Sequence, residues 1–347
     1  MSRIKLPVTR YYGSKRKLIT QIWDEFEKLG IEFTSTLDVF GGSGIFSYFS
    51  KTKGKSVIYN DIFKFNCINA HALIGNCFNH LSKDEALDLL EPKAGRTYKS
   101  FVAEHYKGIY FPEIENNIID IAVQNIQHMN DLGKRNAAFY LLIQSCLIKR
   151  PYNLFHRKNL NLRTNFTGGN FGNKTTWERS FSELFERFNK ELDEFCIKGV
   201  QLPIILNSSA LECKASADLV YIDPPYFRKN GHVSYHSRYH FLEGLVNYDE
   251  IEVKINFNKN HHEIIINKSS EFENKDRIIN DFDNLLKMHS SSIIVISYRN
   301  TGIPSIEELG NLVRKYKNNV RLISLGDYTY ALSHNKVQNV EFLIIGY

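Results

Sequence analysis

The octapeptide Leu219-Val220-Tyr221-Ile222-Asp223-Pro224-Pro225-Tyr226 reads as a short buried strand that stops against a rigid turn. Four apolar residues in a row, without polar alternation, suit a strand covered on both faces. Two consecutive prolines then remove backbone donors and end the ladder. The Asp223 carboxylate and a proline carbonyl are thereby offered at the strand's carboxyl end as two acceptors for the two N–H bonds of an exocyclic amine. Tyr226 adds an aromatic face, so the ligand that this set suits is a planar amino group on a nucleobase.

Working outward, Ser35-Thr36-Leu37-Asp38-Val39-Phe40 reads as a second short strand, and it runs into Gly41-Gly42-Ser43-Gly44. A helix over about 45 to 52 follows, and then a strand at Ser56 to Tyr59 that ends at Asn60-Asp61. The order so far is β-α-β. Further strands are predicted at Leu202 to Asn207, Asp218 to Ile222, Glu263 to Asn267, Ser292 to Ser297, Val320 to Ser324 and Val340 to Ile345. Between about 76 and 200 the pattern is helical, apart from a loop rich in glycine and asparagine around Thr167 to Asn173. The fold predicted is α/β, a doubly wound, mostly parallel Rossmann-like sheet. Its first part is residues 1–75, its second part residues 201–347, and residues 76–200 form a helical insert too long to be a loop.

The glycine turn lets a ligand approach the backbone, and Asp61, 17 residues beyond Gly44, can accept from ribose hydroxyls. A dinucleotide site would favour Gly-x-Gly-x-x-Gly, but Ser47 stands where the third glycine belongs, which weakens a nicotinamide oxidoreductase reading. The five cysteines lack any Cys-x-x-Cys pairing, so reduced thiols and no metal site are expected. His261-His262 reads as a surface pair. No apolar run approaches the roughly 18 residues that span a bilayer, and the amino-terminal residues lack the apolar core of a signal peptide, so a cytoplasmic protein without membrane contact is expected. The net charge of +6 is segregated: residues 1–17 carry +6, residues 134–179 carry +8, and the rest sums to −8. Cations grouped in this way suit a polyanion such as nucleic acid.

Taken together, the motifs resemble those of the Dam-like D12 class of DNA adenine-N6 methyltransferases. The matching pieces, in order, are Arg10-Tyr11-Tyr12-Gly13-Ser14-Lys15, Asp38 to Gly44, Asn60-Asp61 and Asp223 to Tyr226. Tyr239 to Leu245, Ile296 to Asn300 and Glu341 to Gly346 look familiar as well. The resemblance implies S-adenosylmethionine as cofactor, double-stranded DNA as partner and a target-recognition role for the insert. It implies that Tyr11 and Lys15 contact the methionine end, with Lys15 pairing its carboxylate. Asp38, Phe40, Gly41, Gly42 and Gly44 would lie along the cofactor and Asp61 on its ribose, while Asp223, Pro224, Pro225 and Tyr226 would be catalytic. An acid is usual roughly 14 residues before the catalytic Asp, but here that place holds Ser209.

The expected chemistry is direct methyl transfer to the N6 of an adenine rotated out of the duplex and stacked on Tyr226. The loop Arg228 to Tyr235 would close over the base. Within Arg150-Pro151-Tyr152-Asn153-Leu154-Phe155-His156-Arg157-Lys158-Asn159, cations, amides and aromatics combine as DNA binding requires, and Arg150, Asn153, Arg157, Lys158 and Arg163 are the DNA-binding candidates. A monomer is expected, with a cognate restriction endonuclease as a separate partner. An RNA base-amine methyltransferase and a catalytically degenerate DNA-binding protein are the alternatives.

Overall fold

The computed structural model describes residues 4–75, 81–165, 174–197, 201–227, 233–265, 271–327 and 340–347, and these fall into two compact units. The strands in chain order are β1 Ser35–Asp38, β2 Ser56–Asn60, β3 Ile204–Leu206, β4 Leu219–Ile222, β5 Ile255–Asn256, β6 Glu263–Ile264, β7 Ile293–Arg299, β8 Val320–Asp327 and β9 Val340–Gly346. The first unit comprises residues 1–70, 197–232 and 268–347 and holds a seven-stranded sheet of order β3-β2-β1-β4-β7-β9-β8. Pairing is parallel from β3 across to β7, and β9 is antiparallel to both β7 and β8.

Both faces of the sheet are covered, and the alternation along β4 shows how. Val220 and Ile222 join Leu37, Ile294, Ile296 and Ile344 in one apolar cluster, with the helix Ile278–Met288 contributing Phe282 and Leu285. Leu219 and Tyr221 join Val295, Leu343 and Ile345 in the other, with Ile22 and Phe26 of the helix Ile19–Lys28. Phe46, from the helix Ile45–Thr52, stacks on Tyr221 with ring centroids 3.9 Å apart. This two-faced burial is why the run 219–222 contains no polar residue. The strand order reverses direction between β1 and β4, so their carboxyl ends flank the crevice where open α/β sheets bind ligands.

The second unit comprises residues 71–196 and 233–267. Its long helices are Glu113–Gln127, Leu132–Ile148, Phe181–Glu194 and Tyr235–Val246. The segment 233–267 belongs here although it lies outside the stretch 76–200, because its side chains complete an aromatic core. Phe241 stacks on Phe155 at 5.0 Å and meets Tyr110 edge-on at 5.2 Å, and the Tyr110 hydroxyl lies within hydrogen-bond distance of the Phe155 carbonyl, the His261 carbonyl and the ring of His240, its one proton going to one of them. The strand predicted over 263–267 is therefore not part of the large sheet: β6 pairs with β5 in a small hairpin. His261-His262 is part-buried rather than a surface pair, with the imidazole of His262 bonded to the carbonyl of His105. Cys67, Cys146 and Cys213 are free thiols, but Cys196 takes part in a disulfide. This corrects the expectation of reduced thiols throughout, since such a bond depends on spatial proximity that sequence spacing does not reveal. Among the described residues no helix is long and apolar enough to cross a membrane.

Candidate active site

The carboxyl edge of the large sheet brings together the turn after β1, the end of β2, the segment after β3 and the Asp223-Pro224-Pro225-Tyr226 turn. Gly41 has no room for a side chain, because a Cβ would lie 2.0 Å from the ring of Tyr59. Gly42 and Gly44 have φ of +48° and +71°, the left-handed region that glycine tolerates. Asp61 fixes this turn, its Oδ2 accepting from the Gly42 amide at 2.8 Å and its Oδ1 from the Phe63 amide at 2.8 Å. Burial pushes its carboxyl up to about 6 against those hydrogen bonds. Asp38 accepts from the Ser47 hydroxyl at 2.9 Å, and burial pushes it up to about 7, with Ser47 opposing and the Asp223 and Asp61 charges adding to the rise.

Asn60 ties three segments together by donating to the Val39 carbonyl at 3.0 Å and the Ser208 carbonyl at 3.1 Å. The adjacent Ser209 is buried, and its Oγ has no hydrogen-bond partner. Tyr11 covers Gly42, with a ring carbon 3.0 Å from where a Cβ would stand, and Phe40 packs edge-on against Phe272 at 5.0 Å.

Lys15 reaches Asp223 from 208 residues away in sequence, its Nζ donating to Oδ1 at 2.7 Å and Oδ2 at 2.8 Å. It also lies 2.6 Å from the Tyr226 hydroxyl and 3.4 Å from Glu341 Oε1. That hydroxyl is 2.7 Å from Asp223 Oδ1 and 2.7 Å from Glu341 Oε1, so its single proton goes to one carboxylate while Lys15 supplies its incoming bond. Ser297 on β7 donates to the same Glu341 oxygen at 2.8 Å. Asp223 keeps 19% of its side chain exposed, whereas Glu341 is fully buried. Burial raises the Asp223 carboxyl, Lys15 lowers it and the negative charge of Glu341 raises it again. Pro224 is buried and Pro225 partly so.

This geometry corrects two expectations. Lys15 does not present a free ammonium to an incoming carboxylate, because it is bonded to both oxygens of Asp223 and lies within ion-pair distance of Glu341. Tyr226 is only 9% exposed, with its ring edge-on to Tyr298 at 5.1 Å and its hydroxyl inside the ionic cluster, so it is not an open stacking face. The motifs assign no role to Glu341 or Ser297. The available signal is an acid within the apolar strand Val340-Glu341-Phe342-Leu343-Ile344-Ile345.

The sequence matches the D12 class N6 adenine-specific DNA methyltransferases over residues 11–312. The chain belongs to that family. It is 26% identical to the type II methyltransferase M2.HphI of Haemophilus parahaemolyticus over 356 residues, covering 99% of each chain. It is 23% identical to the type II methyltransferase M.NlaIII of Neisseria lactamica, covering 88% of each. With the modification methylase LlaI of Lactococcus lactis subsp. lactis the identity is 25% over 88% of this chain and 49% of the relative. The chain is thus an adenine-specific DNA methyltransferase, and its chemistry needs a methyl donor.

In the second unit the DNA-binding candidates part company. Arg150 is 1% exposed, its guanidinium lying 4.4 Å from the Tyr110 ring centroid and donating to the carbonyls of Tyr110, Leu154 and Arg157. Arg163 forms a two-pronged pair with Glu115 at 2.8 and 2.9 Å. Both cations are structural, which corrects their assignment to DNA: their side chains are buried and their guanidinium groups are bonded within this unit. Asn153, part-buried, follows Tyr152 in a pair of left-handed residues with φ of +57° and +62°. Arg157 and Lys158 are exposed. The loop Thr167 to Asn173, and residues 228–232 of the expected closing loop, lie outside the described residues.

Proposed function

We propose that the chain transfers a methyl group from S-adenosylmethionine to the N6 of an adenine rotated out of double-stranded DNA. The observation that carries this reading is Asp223 at the switch point, partly exposed and close to the buried acids Asp38 and Glu341. The residues fit the cofactor in three respects. A glycine turn admits close backbone approach, the unpartnered Ser209 Oγ is an acceptor for a buried amine, and the partly exposed carboxylate of Asp223 favours a cationic ligand. When bound, S-adenosylmethionine would supply an electrophilic methyl group on a sulfonium.

The chain's own residues do the rest. Gly41, Gly42 and Gly44, with Tyr11, Asp38 and Phe40, form the wall along the cofactor, and beyond its bonds from the Gly42 and Phe63 amides and from Asn66, Asp61 has acceptor capacity left for a ribose hydroxyl. Asp223 and the Pro224 carbonyl accept the two N–H bonds of adenine, favouring a tetrahedral nitrogen and stabilising the charge that develops on it. The rigid Pro224-Pro225 step holds those acceptors still. Tyr226 orients Asp223 through its hydroxyl. Arg157 and Lys158 are assigned to phosphates, with Asn153 beside them, and residues 71–196 and 233–267 to target recognition. Two of the relatives are named type II methyltransferases and the third a modification methylase, so a separately acting cognate endonuclease is the partner proposed, with this chain working as a monomer.

Expression in a methylation-free host, followed by sequencing that detects modified bases, tests the whole reading. N6-methyladenine within one recurrent motif is expected. Modified cytosine, or methyl transfer in vitro to RNA and not to duplex DNA, would overturn it.

A further inference from the structure

In the structure Lys15 bonds both oxygens of Asp223 and the Tyr226 hydroxyl lies 2.7 Å from Oδ1, so most of the carboxylate's acceptor sites are engaged and the ammonium competes with the adenine amine for its charge. The ammonium has another acceptor close by, since Glu341 Oε1 is only 3.4 Å from Nζ and is held in place by the hydroxyls of Tyr226 at 2.7 Å and Ser297 at 2.8 Å. Glu341 is fully buried at the start of β9, opposite Arg299 of β7 in the ladder, so its position is set by the sheet rather than by a flexible loop. Burying a second carboxylate beside the first is unfavourable unless something compensates it. A shared, movable ammonium does so.

We propose that Glu341 is a positioning residue for methyl transfer: it is the second anchor to which Lys15 shifts when Asp223 accepts the adenine amine. With the shift, one oxygen of Asp223 turns to the base while Lys15 stays compensated between Glu341 and the Tyr226 hydroxyl. No covalent bond changes in this step. The Tyr226 hydroxyl stays within reach of both carboxylates, its one proton donated to one of them before and after the shift. The inference rests on the reading of Asp223 as the amine acceptor, and the two can fail separately. Full activity of Asp223→Ala would remove that reading, whereas full activity of a Glu341 variant beside an inactive Asp223→Ala would remove only this one.

The test is Glu341→Gln, which keeps the shape and an acceptor oxygen but removes the charge. The expected result is a fall in kcat of tenfold or more, with S-adenosylmethionine and duplex-DNA affinities from equilibrium titration within threefold of the parent. The acid limb of the single-turnover rate should also move to lower pH. The groups acting on the Asp223 carboxyl are Lys15, Tyr226, Glu341, Asp38 and Tyr221. Glu341 raises that carboxyl, so without its charge Lys15 holds Asp223 ionised to greater acidity. Turnover within twofold and an unmoved limb would overturn the proposal, as would a parallel loss of turnover, both affinities and melting temperature, which marks a purely structural role. Should Glu341→Gln fail to fold, Ser297→Ala replaces it, because it loosens Glu341 without touching its charge. A threefold or larger fall in kcat at unchanged affinities supports the proposal, and unchanged kcat overturns it.

Discussion

In the sheet unit Lys15 meets two carboxylates and a phenol, whereas in the helical unit Lys149, Arg150 and Arg163 meet one carboxylate, Glu115, and a set of main-chain carbonyls. Both clusters are buried, but they are completed differently. The three cations of the helical unit are bonded to Glu115 and to main-chain carbonyls of the same unit, so the cluster's work is to hold the chain around Arg150-Pro151-Tyr152-Asn153 in shape. The sheet unit keeps one carboxylate, Asp223, partly open to solvent, and a buried serine oxygen, Ser209 Oγ, without a hydrogen-bond partner. Buried polar groups that complete one another make a scaffold, and a set left incomplete is where a ligand can be recognised.

The largest effect that could break this contrast is at Asp223. Asp223→Ala should lower the methyl-transfer rate roughly 100- to 1000-fold, about 3 to 4 kcal/mol on the barrier, while duplex binding measured by titration is retained. Near-parental turnover would mean that the open carboxylate is not the reacting site.

Tyr226→Phe comes next. If the ring mattered only as a stacking surface the variant would keep most of its activity. Because the hydroxyl joins Lys15, Asp223 and Glu341, kcat should instead fall roughly 10- to 100-fold, corresponding to about 1.5 to 3 kcal/mol for a hydrogen bond to charged groups. A rate within threefold of the parent would restore the stacking view.

A third comparison sharpens the division within the helical unit. Arg150→Ala should lower unfolding stability by about 1 to 3 kcal/mol, because three carbonyls lose their donor, and should leave the salt dependence of DNA binding unchanged. The double variant Arg157→Ala, Lys158→Ala should do the reverse. Its stability should stay within about 0.5 kcal/mol of the parent, and its salt slope should flatten by about 0.9 for each phosphate no longer neutralised. Identical behaviour of the two variants would erase the distinction between buried and available cations.

The smallest expected effect concerns pH. Asp38 is raised from an ordinary value of 3.8 to about 7, so its neutral form is favoured in the folded state. Its contribution to stability is therefore fully present below pH 3.8 and is lost as pH rises through about 7. Asp38→Asn removes this dependence. Chemical denaturation at pH 5 and pH 8 should show the variant losing less stability across that interval, by on the order of 1 kcal/mol. An unchanged pH profile would count against a neutral buried carboxyl at this position.

The large parallel sheet was legible in residue order alone, because strands buried on both faces need uninterrupted apolar runs, and 219–222 is one. The ligand-facing turns were legible too, because glycines and prolines act through backbone conformation that is local. The order of Asp38 to Gly44, Asn60-Asp61 and Asp223 to Tyr226 along the chain follows from the β-α-β pattern in the same way. Which charges are available emerged only from packing in three dimensions. Arg150 and Arg157 stand seven residues apart in one basic stretch, yet one is bonded to carbonyls and the other exposed, and nothing in residue type separates them. Lys15, Asp223 and Glu341 come from the two ends and the middle of the chain, so their meeting follows from the strand order that places β9 beside β7 and β7 beside β4. Partnering of a buried charge is a long-range property, set by what packs against it, and for that reason it could not be read from neighbours in sequence.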